Sequence, residues 1–325
     1  MRVRFWGTRG SIARPGPATL RHGGNTSCVE LVADDGTLVV LDCGTGAYEL
    51  ALDLRQRAQR PAVGHVLIGH THWDHIQGFP FFEPLYDPAA RWEIYAPGDR
   101  DADLQCTFAG QMSPEHHPIA LGDLQAGVGF HVLKEGAFRI GSIRVTAQYL
   151  HHPALTLGYL LEGDGSAVVY ATDHESHALP VPGAAPGAQP VHPEDRHHVA
   201  FLTGADLVIH DAQYTLAEYP GRRGWGHTPV ERAVDYAIAA RALRLALFHH
   251  DPERDDAAVE ALVALAPRRA AAARSELEVF AAAEGTELAL GGAAALAASS
   301  ERTSSALVSP AVPAARTVLL AGDDP

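Results

Sequence analysis

The segment HTHWDH, residues 70–75, constrains this chain more than any other, because it directly follows the apolar run HVLIG and holds four metal-binding side chains. A buried strand ending at Gly69 would deliver His70 and His72 to one side at its carboxyl edge, since alternate residues share a face. Asp74 and His75 then follow from the next turn. An apolar strand feeding four such side chains into one sheet edge points to a metal centre rather than to a polar surface loop.

The surrounding pattern supplies a scaffold for such an edge. Strand-like runs VRFWG, SCVELV, TLVVLDCGTG, HVLIG and RWEIYAP alternate with turn signals through the first half, and AYELALDLRQRAQ between two of them has apolar residues at helical spacing. The second half repeats the theme with RIGSIRVTAQYLHH, TLGYLLEGDGSAVVYATDHE, ADLVIHDAQY, the helical PVERAVDYAIAARA, and LRLALFHH. Two sheets covered by helices follow from this arrangement. Residues 176–200, rich in Pro, Gly and Ala, are expected to form a surface loop within the domain. Two more helices are expected after Asp255, and ELALGG is a final apolar run. The domain is expected to span 1–292, and the Ala-, Ser-, Thr- and Pro-rich residues 293–325 to form a disordered tail.

The spacing H-x-H-x-D-H resembles the signature of the metallo-β-lactamase superfamily, which implies a four-layer αβ/βα sandwich of two mixed sheets flanked by helices. The later donors that the resemblance implies occur in order. LHHPALTLGY is similar to the third-histidine motif of the phosphodiesterase and tRNA 3′-processing branches and nominates His152, with its neighbour His151 as the alternative. AVVYATDHE places Asp173 where the family carries its bridging carboxylate, and LALFHHDP supplies His249, or else His250.

Imidazole and carboxylate donors suit zinc first, with manganese or iron as alternatives, and a carboxylate can bridge two ions. The expected grouping is His70, His72 and His152 on one divalent ion and Asp74, His75 and His249 on the other, with Asp173 and a water or hydroxide between. Two dications against two carboxylates and one hydroxide leave about one net positive charge. That local attractor matters, because the chain carries a formal charge of −14, which opposes general binding to nucleic acid or an anionic membrane. Two ions roughly 3.5–4 Å apart, with a hydroxide as nucleophile, suit phosphodiester cleavage. Asp42 and Asp211 are candidates to orient the histidines.

Three segments bear on the branch. GTRGSIARPG followed by GGNTSCVEL resembles the opening of tRNA 3′-endonuclease-like and small phosphodiesterase members. GWGHTPVERAVDYA resembles their G-H-S-T segment, with Thr-Pro in place of Ser-Thr, which implies that His227 assists proton transfer to the leaving oxygen. Asp211, in IHDAQY, stands where that branch pairs an acid with this histidine. The catalytic set is thus Asp74, His227 and Asp211, and the pattern including AGQMSPEHHPIAL most resembles bacterial hydrolases related to cyclic-nucleotide phosphodiesterases.

The expected activity is a two-metal phosphodiesterase acting on cyclic or other small nucleotides. An RNA 3′-processing endonuclease and a non-catalytic nucleotide-binding protein are the alternatives. Extended nucleic acid is disfavoured by charge, and no long Gly- and Lys-rich arm is present in the sequence. Arg9, Arg14, Arg222 and Arg223 are candidates to contact substrate phosphates. His116 and His117 are expected on the surface, with a part in shaping the pocket as the alternative, and His174, His177, His192, His197 and His198 are expected to be bystanders. Three cysteines without a C-x-x-C pair, and the absence of an apolar leader or an 18-residue apolar span, fit a cytoplasmic protein with no membrane association. The resemblance also implies a homodimer.

Overall fold

The computed structural model describes residues 1–58, 60–179 and 184–291. Its strands are β1 (Arg2–Gly7), β2 (Cys28–Val32), β3 (Leu38–Leu41), β4 (Val63–Leu67), β5 (Arg91–Pro97), β6 (Gly127–Leu133), β7 (Gly136–Ile140), β8 (Ile143–Leu150), β9 (Thr156–Gly163), β10 (Ser166–Ala171), β11 (Leu207–Asp211), β12 (Arg244–Phe248), β13 (Glu278–Ala281) and β14 (Glu287–Ala289). The helices are α1 (Gly46–Gln56), α2 (Trp73–Ile76), α3 (Asp101–Gln111), α4 (Pro193–Leu202), α5 (Val230–Ala239), α6 (Asp256–Val263) and α7 (Ala266–Ala272).

The strands form two seven-stranded sheets, ordered β14-β1-β2-β3-β4-β5-β6 and β13-β12-β11-β10-β9-β8-β7. Each is mixed in the same way. In the first, β14, β1, β2 and β3 pair antiparallel and β3 to β6 parallel; in the second, β7 to β10 pair antiparallel and β10 to β13 parallel. Strand β1 takes its neighbours from distant parts of the chain, with Arg2 opposite both Val32 on β2 and Ala289 on β14.

The burial pattern explains the layers. All four residues of β3 are buried, but Val39 and Leu41 join Phe5, Leu67, Val168, Ile209 and Phe248 in a cluster between the sheets, whereas Leu38 and Val40 join α1 residues Leu50 and Leu54 outside the first sheet. A strand covered on both faces is apolar at every position, and successive side chains supply opposite cores. Helices α4 and α5 cover the second sheet through Val199, Leu202, Val230, Val234 and Ala237. The four-layer sandwich expected from the resemblance is therefore the observed architecture.

Two sequence expectations need correction. The segment 176–200 is not wholly a surface loop, because α4 begins inside it and presents Val199 and Leu202 to the core, while Asp195 is buried against Arg232 at 3.1 Å. Its short length and polar start hid the helix, which Pro193 and the His192 N-cap nonetheless initiate. Nor do His116 and His117 both lie on the surface. His174 and His198 are buried and stack at 3.8 Å between centroids, and His117 is buried, with its Nδ1 2.9 Å from the Ile119 carbonyl. His116 and His197 are exposed, and His177 and His192 half-buried. The tail expected to be disordered lies outside the described residues. No helix among the described residues is long and apolar enough to cross a membrane.

His250 contributes to the fold. Its Nε2 lies 2.9 Å from the carbonyl of Ala282, its ring meets His22 edge-on, and burial lowers its pKa to about 3. A histidine held neutral in the fold contributes stability that is fully present above its unfolded pKa near 6.5 and is lost as pH falls toward 3. The loss amounts to roughly 2 kcal/mol by pH 5. Denaturant titrations at pH 7 and pH 5 should show this fall, and His250→Gln should reduce it; an unchanged difference in the variant would rule out His250 as its source.

Candidate metal centre

The parallel strands of both sheets end at one place. Asp42 follows β3, His70 and His72 follow β4, Asp173 follows β10, Asp211 ends β11 and His249 follows β12, so the side chains collect outside the carboxyl ends of parallel strands, as ligand sites in open α/β sheets do. His152 arrives from the end of β8, and Asp74 and His75 from α2. Three of these residues, Asp42, Asp173 and His249, hold positive φ angles of 58°, 62° and 56°. Left-handed backbone is uncommon for side chains other than glycine, and here it turns the chain sharply so that the side chain at the strand end points into the centre.

Donor atoms of His70, His72 and His152 lie within 4.8 Å of one another, as do those of Asp74, His75 and His249; Asp173 is grouped with His70 and His75, and again with His227 and His249. Asp173 Oδ2 stands 3.2 Å from His75 Nε2 and 3.4 Å from His249 Nε2, while Oδ1 lies 3.9 Å from His152 Nε2. The carboxylate thus lies between the two groups. The members of the alternative pairs lie in different surroundings. His152 Nε2 is 3.4 Å from His72 Nδ1, whereas His151 Nδ1 lies 2.9 Å from the Glu175 carbonyl; His249 Nε2 is 3.0 Å from Asp74, whereas His250 meets Ala282.

The donor set fits divalent cations. His70 is fully buried, yet neither ring nitrogen has a hydrogen-bond partner among the described residues. Burial, reinforced by His75, pushes its pKa well below the usual histidine range, leaving a neutral imidazole with an unused donor pair. Such buried polar atoms are costly unless something binds them. Burial opposes protonation of His75, but Asp74, Asp42 and Asp173 outweigh it and raise its pKa, so the local field favours positive charge. The same imidazole, with that of His249, keeps Asp74 ionised against its burial.

A surrounding set of hydrogen bonds aims these donors. Asp42 Oδ2 lies 2.6 Å from His75 Nδ1 and accepts from the Tyr170 hydroxyl at 2.6 Å, while Oδ1 accepts from the Gly69 N–H at 2.7 Å. His152 Nδ1 sits 3.1 Å from the Gly226 carbonyl, so its Nε2 faces the cluster. Sequence reasoning missed Glu175, which fixes that carbonyl's loop: its carboxylate accepts from Tyr219 OH at 2.5 Å, Gly224 N at 2.8 Å and Gly226 N at 2.8 Å. The side-chain amide of Gln213, also missed, is 2.7 Å from His249 Nδ1. Gly10 packs so close that a Cβ there would stand 2.3 Å from His249 Nδ1, and Ser11 N donates to Asp74 Oδ2 at 2.8 Å. The glycine-rich opening GTRGS thus supports the centre by close approach.

His227 is buried beside this cluster, its Nδ1 3.3 Å from Asp211 Oδ2 and 3.8 Å from Asp173 Oδ1. Asp211 accepts N–H bonds from His174 and Thr228. Burial raises its pKa, but the contacts with His210 and His227 prevail and bring it to about 2. Burial disfavours the charged form of His227, yet Asp211 and then Asp173 outweigh it and raise the pKa.

The arginines divide. Arg9 is fully buried, with Nε donating to the Gly23 carbonyl and Nη1 to the carbonyls of Asp251 and Arg254, so it braces loops and cannot meet a phosphate. Arg14 is half-buried and donates through Nη1 to the Pro252 carbonyl. Arg222 lies over Trp225 at 4.7 Å and 3.7 Å from Glu253. Arg223 borders a 240 Å³ cavity with His151, His152, Glu175 and His177.

Comparison with known proteins is consistent with this geometry. The model of the β-lactamase superfamily domain matches residues 37–250. The ribonuclease Z of Haloarcula marismortui is 24% identical over 284 residues, covering 77% of this chain and 86% of its own length. Human tRNase Z, short form, superposes with a TM-score of 0.59 at 22% identity over 89% of this chain and 99% of its own. A diphosphatase of the PhnP family superposes at 0.60 and 17% identity, covering 89% and 97%.

If Asp42 orients His75 for metal binding, Asp42→Ala should weaken zinc affinity about 10- to 100-fold. Competition with a chromogenic chelator measures this, and unchanged affinity in a folded variant would remove Asp42 from the role.

Proposed function

We propose that this chain, which belongs to the metallo-β-lactamase superfamily, is a two-metal phosphodiesterase that cleaves at the 3′ ends of RNA. The observation that carries the reading is the convergence of two three-donor groups on Asp173, with His227 beside them. Similarity to ribonuclease Z over most of the length of both chains favours RNA over the cyclic nucleotide that the sequence alone suggested.

His70, His72 and His152 would hold one divalent ion and Asp74, His75 and His249 the other, with Asp173 shared; nitrogen and oxygen donors without cysteine suit zinc, or manganese or iron. When bound, such ions would polarise a phosphoryl oxygen and lower the pKa of water toward neutrality. The remaining work falls to the chain. His227 has Nδ1 toward Asp211 and Asp173, which leaves Nε2 to hand a proton to the departing oxygen. Asp211, ionised and held by two backbone N–H groups, stands 3.3 Å from the Nδ1 of that ring and favours its protonated form. Glu175 fixes the loop on which His227 is carried.

A second reading, hydrolysis of a small cyclic nucleotide, is favoured by the charge of −14 and by the 240 Å³ size of the cavity beside His152. The free thiols Cys28, Cys43 and Cys106 support a cytoplasmic setting, and the family resemblance supports a homodimer.

An RNA carrying a 3′ trailer should be cut by the zinc- or manganese-loaded protein and spared after chelation, with cyclic nucleotides turned over more slowly. The reverse order of kcat/KM would favour the second reading, and hydrolysis of neither would overturn both. His227→Ala should lower kcat by about 10²- to 10⁴-fold at unchanged metal content. A kcat within twofold of wild type would remove it from proton transfer.

A further inference from the structure

Three histidines outside the candidate metal set form a column. His177 stacks on His151 at 4.0 Å between centroids and 9° between planes, and on His192 at 4.9 Å and 6°. His177 is thus the middle ring, and His151, which is exposed, ends the column on the side next to His152 in sequence. Two bonds fix that end ring. Its Nδ1 lies 2.9 Å from the Glu175 carbonyl, and its backbone N–H donates to His174 Nδ1 at 3.2 Å.

His151 and His177 are part of the wall of the 240 Å³ cavity, and so is His152, so the cavity adjoins the candidate metal cluster. Its two charged side chains other than histidine differ in what they have left to offer. Glu175 already accepts three hydrogen bonds, from Tyr219, Gly224 and Gly226. Arg223 is exposed and has no ion-pair or hydrogen-bond partner among the described residues, leaving its guanidinium available to an anion. A flat, pre-ordered aromatic surface beside a free guanidinium is the pairing that takes a nucleobase and a backbone phosphate together.

We propose that this cavity is a subsite for one nucleotide of the substrate adjoining the scissile phosphate, its base stacked on the His151–His177–His192 column and a phosphate at Arg223. The proposal rests on the phosphodiesterase reading given above and adds to it the part of the substrate that the chain grips. Stacking requires no particular pattern of donors on the base, so the subsite accepts any of the four bases. A parallel ring stack loses little freedom on binding, since each ring is already held by its neighbour.

The test compares two substrates with the metal-loaded protein: a short single-stranded RNA, and methyl p-nitrophenyl phosphate, which has the reactive phosphodiester but no base. Wild type should prefer the RNA, and His151→Ala and Arg223→Ala should each reduce the RNA-to-ester ratio of kcat/KM about tenfold, mainly through KM on RNA. His151→Phe, which keeps a flat ring, should restore most of the ratio. A ratio unchanged in both alanine variants, or kcat on both substrates falling together, would overturn the subsite. Failure of wild type to hydrolyse either substrate would instead overturn the phosphodiesterase reading, and hydrolysis of both without preference would overturn the subsite alone.

Discussion

The buried carboxylate of Asp42 is the interaction on which the rest of the structure turns. It follows β3 of one sheet, accepts the N–H of Gly69 after the neighbouring strand, accepts the hydroxyl of Tyr170 from β10 of the other sheet, and meets His75 of the candidate metal cluster. A charge taken wholly out of water is tolerated only when such partners surround it. Because those partners come from both layers, the same group joins the sheets at their carboxyl edges and sets the direction of a donor. Its left-handed backbone belongs to the same arrangement, since an extended residue there would carry the side chain away from the gap between the sheets.

Much of the centre was legible in the sequence because it sits where period-two apolar runs stop. His70, His72, Asp173, Asp211 and His249 each lie at or within a few residues of the end of a strand recognisable from its alternating or continuous apolar pattern. The choice of His152 over His151, and of His249 over His250, was open in the sequence. It depends on where each ring lands in three dimensions, His152 beside His72 and His249 beside Asp74, which residue type does not encode.

What escaped sequence reading shares one cause. Glu175, Gln213 and the 151–177–192 column matter through contacts between segments far apart in the chain, and their own neighbourhoods look like ordinary loops. The same holds for Arg9, a candidate phosphate contact in the sequence that is buried in the fold and donates to three carbonyls. Helix α4 was missed for a local reason: a ten-residue element with a weak apolar stripe, placed after a Pro- and Gly-rich stretch, does not separate from its surroundings by periodicity alone.

The pairing of β1 with β14 has a bearing on how the protein is made. Residues 2–4 cannot complete their hydrogen bonds until residues 287–289 have been synthesised, an interval on the order of 15–60 s at ordinary ribosomal rates. Throughout that time one edge of β1 stands open to pairing with other nascent chains. Arg2 and Arg4, alternating along that strand, place positive charge beside the waiting edge until β14 closes it.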